Sequence, residues 1–177
     1  MTVASPRDRE THNQSRASRL LAILHTGEGE SRHSATNEND AVDAARQFSR
    51  LSLPTRFDIV HTLSSVDTSL GRALAVHIVQ SDPSPLVRHE AAFVIGCIGG
   101  PQELVAVRDA LENDVSPLVR HEAAMAIAEI GGDSELSLLR ACLSDDSEEV
   151  AVSCEVAIAR IEDREGQLIH VDPEGPQ

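Results

Sequence analysis

Two His-Glu pairs, His89-Glu90 and His121-Glu122, stand 32 residues apart, each inside the same nine-residue string. Ser84-Pro85-Leu86-Val87-Arg88-His89-Glu90-Ala91-Ala92 recurs letter for letter from Ser116 to Ala124. Imidazole nitrogen and carboxylate oxygen together suit iron, manganese or zinc, whereas thiolate-selective sites need Cys. A stacked helical repeat requires small and apolar residues at fixed positions, but has no packing use for an imidazole beside a carboxylate in each copy. The alternative is a solvated surface pair, copied by duplication along with its packing neighbours. Residues 82–113 and 114–145 agree at 18 of 32 positions, with changes such as Phe93/Met125 and Gly96/Ala128, while the pair is unchanged. Both readings fit the residues.

The elements that must carry these pairs follow from the same repeat. Ser84 is placed as an N-cap with Pro85 at the first helical position, where a missing N–H costs nothing. The first helix is expected to run to Gly99-Gly100, read as a left-handed cap. Pro101 then opens a second helix ending near Glu112, and Ser116-Pro117 and Gly131-Gly132 punctuate the next unit. Val87, Ala91, Val94, Ile95 and Ile98 form the buried stripe of the first helix. Adjacent helical residues point about 100° apart, so His89 and Glu90 bracket a second face that carries Leu86 and Phe93. A weaker copy begins upstream at Arg56-Phe57-Asp58, and a last one near Asp146, in which Ser153-Cys154 is aligned with His-Glu. A period of this length means a solenoid. The expected fold is an all-α superhelix of about four helical hairpins over residues 41–163. Loose tails are expected at 1–40, with a short amphipathic turn within 16–25, and at 164–177.

Stacked equivalent helices sit on the order of 10 Å apart, so His89 and His121 can converge on one metal ion. Two His and two Glu make half of a dinuclear carboxylate–histidine site. The shortfall points to a second copy facing the first across a twofold axis.

Composition narrows the class. The formal charge is -14, and all 15 basic residues are Arg. That surface argues against a nucleic-acid partner, which needs clustered cations, and suits a basic protein partner. No apolar run approaches the roughly 20 residues that span a bilayer, and no cleavable leader is visible, so a cytoplasmic location is expected. Cys97, Cys142 and Cys154 form no CxxC pair; Cys97 and Cys154 are expected to be buried, and Cys142 unpartnered. His25, His61 and His77 are read as exposed or packing residues. The acidic run Asp145, Asp146, Glu148 and Glu149 lacks the spacing of a calcium loop and reads as a helix start.

PLVRHEAAFVIGCIG and PLVRHEAAMAIAEIGG resemble the HEAT-type repeats of deoxyhypusine hydroxylase, a dinuclear-iron monooxygenase. In that family the repeats fall in two halves, with His-Glu motifs in two repeats of each half. Arg56–Leu63 is similar to the plain repeat that opens a half, and Glu149–Ala157 to the repeat that closes it. The resemblance implies metal ligation by His89, Glu90, His121 and Glu122, with two irons per homodimer or a second half-site protein supplying the rest. It also implies hydroxylation of a deoxyhypusine side chain on a translation factor, a protein substrate. Two other readings stand beside it. One is a non-enzymatic protein-interaction scaffold; the other is kinship with HEAT-like bilin lyases, which share the Val-Arg-x-x-Ala-Ala framework.

Overall fold

Wherever the repeat reads Ser-Pro, a helix starts at the proline. The computed structural model describes residues 18–22, 38–65 and 68–169. Among them are helices α1 (Glu38–Phe48), α2 (Leu53–Leu63), α3 (Ser69–Ser81), α4 (Pro85–Ile98), α5 (Leu104–Asn113), α6 (Pro117–Ile130), α7 (Leu136–Ala141) and α8 (Glu148–Ile169), with no strand. Short 3-10 turns at Asp133–Glu135 and Cys142–Ser144 flank α7. Helices α2, α4, α6 and α8 stack side by side in one row, and α1, α3 and α5 follow one another in a second. This is the all-α repeat solenoid expected. None of these helices is long and apolar enough to cross a membrane.

The stripe forms as its spacing dictates, except that Ile98 at its end is only partly buried. Val87, Ala91, Ala92, Val94 and Ile95 of α4 are buried, as are Val119, Ala123, Ala124, Ala126 and Ile127 of α6. Small residues there let the helices approach closely: a Cβ on Gly96 would lie 3.1 Å from the Cα of Ala126. Each large aliphatic side chain so buried contributes about 1.5–3 kcal/mol. Leu86 and Phe93 stay exposed on the other face, as expected.

Three details differ from the sequence reading. Ser84 and Ser116 occupy the N-cap positions, but their hydroxyls make no cap bond. Asp82 and Asp114 instead accept the backbone N–H of Ser84 and Ser116, each at 2.8 Å. Gly99 is extended (φ -76°, ψ 176°) rather than left-handed. Its lack of a side chain matters because a Cβ there would fall 2.4 Å from the carbonyl oxygen of Ile95. Helix α5 opens at Leu104, after a turn at 101–103, with Glu103 Oε2 accepting the N–H of Gly100 at 2.9 Å.

An Arg–Asp ladder sets the register between repeats. Arg88 donates through Nε and Nη2 to the two carboxylate oxygens of Asp114, at 2.7 and 2.8 Å, and through Nη1 to the carbonyl of Asp82. Arg120 repeats this with Asp145, at 2.8 Å to each oxygen, and with the carbonyl of Asp114. Arg56 Nε lies 2.9 Å from Asp82, though its N–H is not aimed at the carboxylate. Asp145 also accepts the N–H of Ser147, so Ser147 is the equivalent of Ser116, 31 residues on rather than 32. The pair that stands in the His-Glu positions of the last repeat is therefore Val152-Ser153, not Ser153-Cys154.

The ends of the repeat region also differ in detail. Residues 18–22 are helical, as expected of a short amphipathic turn within 16–25, but Leu20 lies fully in the core rather than in a loose tail. Helix α1 begins at Glu38, and α8 continues past residue 163. Arg164 donates to the carbonyls of Ala128 and Gly131, satisfying the exposed end of α6. The rest of the expected tails, His25 included, lies outside the described residues.

Candidate metal centre

Because α4 and α6 start at equivalent prolines and are anchored by equivalent arginines, their second turns lie level. His89 and Glu90 fall on α4, His121 and Glu122 on α6. The two imidazoles stack with centroids 6.4 Å apart and planes 14° from parallel. Glu122 Oε2 lies 3.2 Å from His89 Nε2 and 3.8 Å from His121 Nε2. One ligand atom each from His89, His121 and Glu122 falls within 4.8 Å of the others. Donors bonded to one metal at roughly 2.0–2.2 Å lie about 3 Å apart, so small side-chain rotations close the trio on an ion.

Glu90, the fourth residue of the paired motifs, is not part of this trio. Its Oε1 meets Nδ1 of His61 on α2 at 2.7 Å. His61 is exposed, as expected, yet it ties up the Glu90 carboxylate beside the trio, which its sequence position did not suggest. In the repeat it aligns with Phe93, one turn beyond the His position. His77 is exposed and contacts Ser81. On the other side, His121 Nδ1 lies 2.6 Å from the hydroxyl of Ser153 on α8. Residues 90, 122 and 153 occupy one repeat position, and each is met by a histidine from the repeat before.

The surroundings are electronegative. The carboxylate of Glu122 beside His89 raises the imidazole above its ordinary range; partial burial opposes the shift, and Glu90 and Glu149 reinforce it. A proton on Nε2 then sits where a metal ion would, so binding displaces it. Among the described residues, His89 Nδ1 is buried with no hydrogen-bond partner. Two imidazoles and one carboxylate on one face, with positions left open, are the donor set of non-haem Fe(II) oxygenases. The trio fits a divalent metal on that ground.

The cysteines serve the core or the rim. Cys97 is exposed, contrary to expectation, and its thiol is held protonated by partial burial together with the charges of Glu122, Glu129 and Glu90. Cys154 is buried, and burial pushes its thiol up to about 12. Burial, with Asp145 and Glu112 adding to it, likewise raises the Cys142 thiol. Of the acidic run, Glu148 and Glu149 do open α8, while Asp145 belongs to the Arg–Asp ladder.

Comparison with known proteins agrees with this architecture. Residues 72–159 match the family model of HEAT repeats. The solved structure of human deoxyhypusine hydroxylase in complex with glycerol superposes with a TM-score of 0.64 at 25% sequence identity, over 94% of this chain and 51% of that one. The chain therefore spans about half the length of that enzyme and resembles one half of it. No curated protein matches by sequence.

Proposed function

We propose that this HEAT-repeat protein is a half-enzyme: it binds iron through His89, His121 and Glu122 and acts as a monooxygenase of the deoxyhypusine hydroxylase kind when two copies face each other. The observation that carries the reading is the convergence of two imidazoles and a carboxylate from neighbouring repeats. Zinc would accept the same donors; the likeness to human deoxyhypusine hydroxylase favours iron. Iron bound there supplies oxygen-activating chemistry. His89, His121 and Glu122 would hold it, with Glu122 lying between the two histidines. Glu90 lies outside the trio with its Oε1 on His61, and would have to leave that histidine to serve a facing copy. Two chains together offer four His and four Glu, enough for two irons per dimer. A basic loop on a protein substrate would complement the charge of -14.

The test is anaerobic loading with Fe(II), followed by exposure to air, metal analysis and light-scattering mass. The proposal expects about one iron per chain, a coloured oxidised form and a dimer. A colourless, metal-free monomer leaves the interaction scaffold. That second reading has its own support, because Leu86, Phe93, Leu118, Val152 and Val156 are exposed along the same row of helices. On the scaffold reading, partner binding survives His89→Ala.

A further inference from the structure

We propose that Ser153 is a positioning residue that fixes the tautomer of His121, so that its Nε2 lone pair faces His89 and Glu122. The inference rests on the metal-site reading for its purpose, but not for its geometry.

Ser153 is almost fully buried, at 5% exposure. Its Oγ lies 2.6 Å from the carbonyl oxygen of Glu149 and 2.6 Å from Nδ1 of His121. A carbonyl oxygen can only accept, so the single hydroxyl proton lies toward Glu149. The contact with His121 must then run the other way, with Nδ1–H donating to Oγ. In a neutral imidazole that places the lone pair on Nε2. This nitrogen is the one 3.8 Å from Glu122 Oε2.

The neighbouring repeat supplies the contrast. Glu122 stands where Ser153 stands one repeat later, and His89 engages it through Nε2, not Nδ1. His89 Nδ1 is left buried without a partner. At the closing repeat the short hydroxyl takes Nδ1 of His121, where Glu122 faces Nε2 of His89. Ligating histidines ordinarily have their second nitrogen held in this way, and loss of the holder weakens metal affinity by roughly 10–100-fold.

Long-range 1H–15N correlation spectra of the metal-free protein, at a pH where His121 is neutral, read the tautomer directly. Wild type is expected to show the Nδ1–H form at His121. Ser153→Ala should shift it toward the Nε2–H form that free histidine favours, and Ser153→Thr, which keeps a hydroxyl able to reach the i−4 carbonyl, should restore it. Fe(II) titration should show Ser153→Ala binding about 10–100-fold more weakly than wild type and Ser153→Thr close to wild type. An Nε2–H tautomer at His121 in wild type overturns the proposal, as does a tautomer unmoved by Ser153→Ala or an undiminished Fe(II) affinity in that variant. If wild type binds no metal, the iron reading falls while the spectra still decide the role of Ser153.

Discussion

Two polar ladders cross the same helices one residue apart, and they differ in what they leave unused. Arg88 and Arg120 belong to the first, His89 and His121 to the second. In the Arg–Asp ladder the guanidinium fork matches both oxygens of Asp114 or Asp145, the third nitrogen takes a carbonyl, and each aspartate also accepts a serine N–H. In the histidine ladder His89 Nδ1 has no partner, and His121 Nε2 stops 3.8 Å short of its nearest carboxylate. Recurrence alone marks either kind. Arg56 Nε, at the first rung of the Arg–Asp ladder, is unpartnered too, so unspent capacity marks a site only where atoms able to ligate a metal carry it.

Removing a rung tests that distinction most forcefully. Asp114→Ala strands Arg88, whose side chain is only 11% exposed, and should destabilise the metal-free protein by about 3–5 kcal/mol in urea unfolding. Glu122→Ala removes a carboxylate whose partners are imidazoles able to lose their charge. It should cost the metal-free fold no more than about 1 kcal/mol, while lowering Fe(II) affinity at least 100-fold, roughly 2.7 kcal/mol. Equal destabilisation by the two variants would erase the comparison. Unchanged iron binding in Glu122→Ala would make the histidine ladder a second brace.

How much of this could be read beforehand depends on how far each feature reaches. The buried stripe and the approach of His89, His121 and Glu122 depend only on helical period and repeat identity and were legible, whereas Glu90, expected beside them, meets His61 instead. The last repeat was misaligned because identity fades there while the 3-10 turns around α7 shorten the unit by one residue. The Asp-x-Ser tripeptides at 82–84, 114–116 and 145–147 carried the correct register, since each aspartate caps the serine N–H and receives the preceding arginine. The tie between His61 and Glu90 was not legible. It links positions a full turn apart in the repeat and depends on how far one helix is displaced along its neighbour.

The smallest effect separates the ladders by the direction of their response to pH. For Asp114, burial favours the neutral acid, but hydrogen bonds from Arg88 and the Ser116 N–H prevail and hold the carboxyl below its ordinary range. Asp145 is held low chiefly by Arg120, against burial. Groups depressed on folding stabilise above their unfolded value of about 3.9, and that stabilisation is lost as pH falls through the folded one. His89 behaves inversely. Its pKa is raised by the hydrogen bond to Glu122, with Glu90 on its own helix and Glu149 on α8 adding to it. Its contribution is complete below the unfolded value of about 6.5 and is lost as pH rises through the folded one. The metal-free protein should therefore lose a little stability as pH rises above about 6.5, seen as a falling urea midpoint, and His89→Ala should abolish that fall while keeping the acid limb. Over the same window Fe(II) affinity should rise, because the proton leaving Nε2 vacates the metal's place. An alkaline fall that persists in His89→Ala would assign it to other groups, and the histidine rung would then have no measurable hold on the fold.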